Sequence, residues 1–206
     1  MSMPLPIKSP PLRLFILLLF VVIELLLGVL GSWLNPSLQY ARSAILHGEV
    51  WRVVTGHLVH LGLVHTLLNM SGLVLIMHLF GSLLPIRVWF CCGLLMALGI
   101  SAGFLLFNPE LSYYAGMSGV LHGLLLFGIG LALLRNELYP RWLLVLIGCG
   151  VVGKLFSEQL PSYDIYYLQE HMHAAVIVDA HLYGAIIGLS LLPLIDFWRK
   201  HGGRKT

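Results

Sequence analysis

The sequence predicts an all-α membrane protein, a polytopic bundle of six membrane-spanning helices. Three observations carry that expectation. Charged residues make up only 10% of the 206 residues and apolar residues 58%, whereas a soluble domain is about one-quarter charged. Mean hydropathy is +0.90. Six apolar segments, each near the ~20 residues that cross a hydrocarbon core, alternate with polar or turn-forming stretches. One membrane domain over residues 1–206 accounts for the length, with short tails at about 1–11 and 199–206.

The segments run at roughly 12–34, 57–80, 86–107, 116–134, 140–157 and 174–197. The first follows Lys8 and Arg13 and exceeds the ~7–15-residue core of a signal peptide, and no small-x-small cleavage site follows it. It reads as a retained span. A longer first loop (35–56), a turn at Gly81–Pro85, a short loop at Asn108–Ala115 and a turn at Arg135–Pro140 come between. The polar loop Ser157–His173 and the fifth span are candidates for a gate, and the basic tail from His201 is expected to be mobile.

Lys8, Arg13, Arg87, Arg135, Arg141, Arg199, Lys200, Arg204 and Lys205 sort to one side, Arg42 and Arg52 to the other, with Lys154 near the end of the fifth span. The positive-inside rule puts both termini in the cytoplasm, so the second, fourth and sixth spans run from outside to inside. Trp33, Trp51, Trp89, Trp142 and Trp198 fall mostly near span ends, as an aromatic belt does. His47 and His78 read as interfacial.

Several function classes are disfavoured. The formal charge of +3 is spread over loops and ends, so no nucleic-acid-binding face is expected. Cys91, Cys92 and Cys149 lie in apolar segments, too few for a disulfide framework and without zinc-ligand spacing. His57, His60 and His65 lack an H-E-x-x-H pairing, and His171 with His173 supplies only two ligands. No metal or cofactor is expected. No internal repeat of the transporter kind is visible.

The chemistry gathers in alternate spans. Gly116-Met117-Ser118-Gly119 opens the fourth and Ala180-His181-Leu182-Tyr183-Gly184 lies in the sixth. Ionisable residues in hydrocarbon are costly and mark functional sites. A serine hydroxyl needs a base to become a nucleophile, and histidine titrates near neutrality. Ser118 at a helix start also has free backbone N–H groups and the helix dipole for a developing oxyanion. A lone GxSG is equally a capped helix start; the histidine at a matched level favours the nucleophile. His65 and His181 fall about eight and seven residues into their spans, roughly 10–12 Å deep. Ser118 meets them if the 108–115 loop dips inward, which needs protein or water around that backbone. Gly119-xxx-Gly123 and Gly184-xxx-Gly188 allow the fourth and sixth spans to cross closely. His65 and Asn69, four apart, share a helix face and can donate toward an oxyanion. His60 reads as a structural hydrogen-bonding residue, and Glu24 as a partner for another helix.

With these residues in place, the chain resembles the rhomboid intramembrane serine proteases over roughly residues 45–195. Glu49, Trp51 and Arg52 are similar to the family's first-loop Trp-Arg element, and His60…His65-x-x-x-Asn69 to its second-helix motif. Gly116-Met117-Ser118-Gly119 resembles its GxSG, and Ala180-His181-x-x-Gly184-x-x-x-Gly188 its AHxxGxxxG. The resemblance implies a six-helix rhomboid-like bundle with Ser118 as nucleophile and His181 as base. It implies an oxyanion hole of His65, Asn69 and the Ser118 N–H. A dyad has no required acidic third member, and Asp179 faces elsewhere than His181 on a straight helix.

Where rhomboids often carry a tyrosine stacked on the catalytic histidine, this chain has His122. That residue, the short chain and the lack of a seventh span resemble the bacterial rhombosortases. That likeness implies an inner-membrane enzyme with its site open to the periplasm. Its partners would be membrane-anchored exported proteins with a C-terminal tail of Gly-Gly motif, membrane segment and basic residues, and the bilayer itself. A ring of His57, His60, His65 and His122 is expected to hold the hydrolytic water. The rival readings are a general rhomboid protease and an inactive rhomboid-like client-binding protein.

Overall fold

A computed structural model describes residues 10–135, 138–160, 163 and 176–202. Among them the chain is nearly all helix. The predicted first span is two helices, α1 (Pro10–Val29) and α2 (Gly31–Leu38), because Leu30 leaves helical ψ (φ −87°, ψ 7°). Asn35 Nδ2 donates to the His60 carbonyl at 2.9 Å, which folds α2 over the turn before the next span.

The first loop is built rather than loose. It holds strand β1 (Tyr40–Ala41) and the short helices α3 (Arg42–Leu46) and α4 (Arg52–Thr55). The Arg52 guanidinium ties it together, donating to Glu49 Oε2 (2.7 Å), the Gln39 carbonyl (2.9 Å) and the Pro36 carbonyl (3.0 Å). The Trp51 indole N–H donates to the Ser37 carbonyl at 3.1 Å. Arg52 is buried, so its charge is matched by a carboxylate and carbonyl dipoles, as burial demands.

Four long helices and a fifth, more polar one complete the bundle: α5 (Leu63–Phe80), α6 (Ile86–Phe107), α7 (Ser118–Arg135), α8 (Arg141–Glu158) and α9 (Val178–Gly202). Strand β2 (Tyr113–Tyr114) precedes α7 and pairs antiparallel with β1, Tyr40 opposite Tyr114. Two further differences from the sequence expectation bear on the site. The second span begins at Leu63, not residue 57, because Gly62 takes φ +88° and starts the helix late. His57 and His60 therefore sit in a turn rather than on the helix face.

The other difference concerns α8. Among the described residues, five helices are long and apolar enough to cross a membrane: α1, α5, α6, α7 and α9. The predicted fifth span is a helix, but Arg141, Lys154 and Glu158 make it too charged to rank with them. The burial pattern is that of a protein dissolved in lipid. Leu14, Leu18, Leu26 and Leu146 are exposed, while Glu24, His57, His60, His65, Asn69, Ser101, Glu158 and His181 are buried. Of the aromatic-belt expectations, Trp33 and Trp142 are exposed, but Trp89 is in the core against Phe127, its N–H on the Gly81 carbonyl at 3.3 Å.

Helices α7 and α9 make the closest crossing. A Cβ on Gly119 would stand 2.6 Å from the Ala180 carbonyl oxygen, and one on Gly123 2.5 Å from that of Gly184. Gly184 and Gly188 face the Gly119 and Gly123 carbonyls in return. With no side chain between them, the two backbones touch, and van der Waals packing holds the pair where the hydrophobic effect between helices is weak.

Candidate active site

Ser118, His65 and His181 all lie in the first turn of a helix: α7, α5 and α9 respectively. Both histidines sit nearer to their helix starts than the sequence suggested. Three helix N-termini, rather than mid-helix positions, bring these groups together. The segment Tyr114–Met117 before Ser118 is buried, as the inward-dipping loop requires. It is held by the β1–β2 pair, by the Gly116 N–H on the Gly56 carbonyl (3.0 Å), and by the Tyr114 hydroxyl on the Gly116 carbonyl (2.6 Å). Gly116 has φ +137°, which side chains rarely adopt, and a Cβ there would strike the His65 ring at 2.8 Å.

The Ser118 hydroxyl and His181 Nε2 are 3.0 Å apart. His181 Nδ1 is 3.0 Å from Glu158 Oε2. An ionised carboxylate only accepts, so Nδ1 carries the ring proton. Nε2 is then bare and accepts from the serine. The first bond of α7 runs from the Leu121 N–H to the Met117 carbonyl, so the N–H groups of Ser118, Gly119 and Val120 have no partner within the helix, and that of Gly119 is directed at the Tyr114 hydroxyl. A hydroxyl that can lose its proton to an imidazole, beside the N–H donors and dipole of a helix start, can attack a carbonyl and hold the resulting oxyanion.

His122 stacks on His181 with centroids 4.1 Å apart and planes 22° from parallel. Its Nδ1–H donates to the Ser118 carbonyl at 2.8 Å, so its Nε2 is the acceptor for the Lys154 ammonium at 3.2 Å. Lys154 also donates to Glu158 Oε1. His181 is thus held on one face by His122 and at its edge by Glu158, and Lys154 joins the two.

The remaining candidates divide. His65 touches Gly116 and faces His60 edge-on with centroids 5.2 Å apart; its Nδ1 has no hydrogen-bond partner among the described residues. Asn69 Nδ2 gives one hydrogen to the His65 carbonyl (2.9 Å) and keeps one. His60 is fully buried, with Nδ1 3.6 Å from Glu24 Oε2, too far for a hydrogen bond. His57 is turned away, its Nε2–H on Ser101 Oγ at 3.0 Å, while Ser101 donates to the Val53 carbonyl. Burial pushes the His57 pKa down to about 4, which keeps it neutral. His57 and His60 are enclosed by protein, so the expected water-holding ring of four histidines is not formed. Trp51 and Arg52 brace the first loop, as described above.

Asp179 accepts from Asn108 Nδ2 (2.5 Å), and the Tyr183 hydroxyl donates to Asn108 Oδ1 (2.7 Å), so these groups pin the start of α9 to the end of α6. Among the described residues no three His, Cys, Asp or Glu side chains cluster as metal ligands. His171, His173 and most of the loop 157–173 lie outside the described residues.

Glu158 and Lys154 were missed as site residues. Their signal was present: an i, i+4 Lys–Glu pair at the end of an otherwise apolar helix. A charged residue in such a segment is itself a reason to look for a site.

A Rhomboid domain matches residues 47–196, well over half of the chain. The chain belongs to the rhomboid family. No curated protein matches it closely enough to count as a relative. Rhomboids are intramembrane serine proteases, so this chain is a multi-pass membrane hydrolase by family. All the residues of the 3.0 Å serine–histidine contact and its supports fall inside the rhomboid match.

Proposed function

We propose that this rhomboid is an active serine endopeptidase with Ser118 as nucleophile and His181 as general base, and that its substrates are exported proteins with a C-terminal membrane tail. The observation that carries the activity is the 3.0 Å approach of Ser118 Oγ to an unprotonated His181 Nε2 at the start of α7. Ser118 Oγ attacks the scissile carbonyl carbon as its proton passes to Nε2. The carbonyl oxygen becomes an oxyanion, which accepts hydrogen bonds from the N–H groups at the start of α7, with His65 and the second Asn69 amide hydrogen as side-chain donors. The tetrahedral intermediate collapses, the C–N bond breaks, and Nε2–H gives its proton to the leaving amine. A water repeats the sequence on the acyl-Ser118 ester, delivering its proton to Nε2 and freeing the carboxylate product. His122, stacked on His181, keeps that ring from rotating away between the two halves.

Gly119, Gly184 and Gly188 serve this chemistry by letting backbones touch, and Gly116 by leaving room for the His65 ring. The inner-membrane location rests on the likeness to the rhombosortases; the orientation, with both termini cytoplasmic and the site toward the periplasm, rests on the distribution of Lys and Arg over six spans, α8 counted among them. The rhombosortase reading rests on His122 in the tyrosine position and on the likeness of the GxSG segment. A co-expression assay tests it. A reporter ending in a Gly-Gly motif, a membrane segment and basic residues is compared with a generic rhomboid substrate, in wild type and Ser118→Ala. Ser118-dependent cleavage of the tailed reporter alone is expected. Cleavage of the generic substrate would make this a general rhomboid, and retained cleavage of either substrate in Ser118→Ala would end the mechanism.

A further inference from the structure

We infer that Glu158 is a positioning residue that makes the site a Ser118–His181–Glu158 triad, with Lys154 holding the carboxylate in place. The inference rests on the reading of Ser118 and His181 as nucleophile and base.

The geometry has three parts. Glu158 Oε2 is 3.0 Å from His181 Nδ1, and its side chain is 1% exposed. A buried ionised carboxylate is costly unless paired and hydrogen-bonded. Here each oxygen has its own donor: the imidazole on Oε2, the Lys154 ammonium on Oε1. The same carboxylate fixes the tautomer. With the proton held on Nδ1, Nε2 presents its lone pair to Ser118 Oγ at 3.0 Å. In the other tautomer Nε2 would carry a hydrogen and could not act as base.

Glu158 also faces the charge that forms during reaction. When the serine proton arrives on Nε2, His181 becomes an imidazolium while Nδ1–H stays bonded to Glu158. The carboxylate remains ionised and receives no proton. Lys154 then does two things. It balances Glu158 in the resting site, where His181 is neutral, and it reaches His122 Nε2 at 3.2 Å. Both rings that stack in the site are thus fixed from α8, a helix whose apolar sequence otherwise gives no reason to carry Lys154 and Glu158 four residues apart. Glu158 lies in none of the family motifs, and the folded arrangement is what joins it to His181.

The test uses full-length protein in detergent micelles, labelled with ¹⁵N-histidine, and a serine-directed phosphonate probe. Wild type is expected to show His181 as the Nδ1–H tautomer, assigned by its loss in His181→Ala. Glu158→Gln keeps the volume but can donate an N–H to Nδ1. It is expected to shift His181 toward the Nε2–H tautomer and to lower the maximal labelling rate roughly 100-fold or more, with probe affinity unchanged, as loss of the orienting carboxylate does in a Ser-His-Asp site. Glu158→Asp is expected to keep the Nδ1–H tautomer and recover part of the rate. Should Glu158→Gln not fold, judged by thermal denaturation, Glu158→Asp decides, because an unchanged maximal rate there overturns the proposal. A wild-type rate and tautomer in Glu158→Gln also overturn it, while the serine–histidine reading stands. If wild type itself is not labelled at Ser118, that reading falls and the triad with it.

Discussion

Among the described residues the bundle contains two buried imidazole–carboxylate pairs, and they are built differently. His181 has both ring nitrogens engaged, Nδ1 with Glu158 and Nε2 with Ser118, each at 3.0 Å. His60 stands 3.6 Å from Glu24, and neither of its nitrogens has a hydrogen-bond partner among the described residues. Glu158 has a cation on its second oxygen, whereas Glu24 Oε2 has no hydrogen-bond partner among the described residues. A buried carboxylate near a histidine is therefore not enough to make a proton relay. What distinguishes the α8–α9 pair is direction: each lone pair and each N–H has one assigned partner, and the chain of partners ends on a hydroxyl.

The contrast can be broken in graded steps. Ser118→Ala and His181→Ala carry the largest expected effect, a fall of labelling and cleavage to background, at least about 10³-fold, with thermal stability retained. Substrate cleavage by purified variants measures it. Next is Gly184→Val, which puts a side chain against the Gly119 carbonyl. Helices α7 and α9 must separate, so the midpoint of thermal denaturation falls, by a cost of about 1–3 kcal/mol, and activity falls with it. Equal stability would mean the crossing is looser than its backbone contact implies.

Lys154→Met is a milder change. It leaves Glu158 on His181 but removes the second donor and the contact with His122, so a drop of about 3–10-fold in maximal rate is expected, in line with loss of one charge-assisted bond to a half-exposed partner. The smallest effect belongs to Glu24→Gln. A rate within about threefold of wild type is expected, because no directional bond links Glu24 to the reacting groups. A Glu24→Gln enzyme as slow as Glu158→Gln would erase the distinction between the two pairs.

Much of this arrangement could be read from the chain, and the misses have physical causes. The GxSG glycines, His181 and the two GxxxG faces are legible because backbone approach requires glycine and hydrocarbon penalises a lone imidazole. The span from residue 86 to 107 matches α6 to the residue, since Pro85 and Asn108 bound a long apolar run there. The start of the second span is misplaced in the sequence reading because Leu58, Val59 and Leu61 continue the apolar run of the helix backwards, while the positive φ of Gly62 breaks the backbone there. Glu158 was missed because Lys154 served only as a topology marker, and its partner fell one residue past the expected end of the span. Tertiary contact from α8 to α9, across 23 residues of sequence, is what gives the pair its meaning.

The most direct measurement is mass-spectrometric mapping of a serine-directed phosphonate on the purified full-length protein, wild type beside His181→Ala. The account expects one adduct, on Ser118, formed by wild type and nearly absent from His181→Ala. No adduct on Ser118, or labelling of His181→Ala at the wild-type rate, would contradict it.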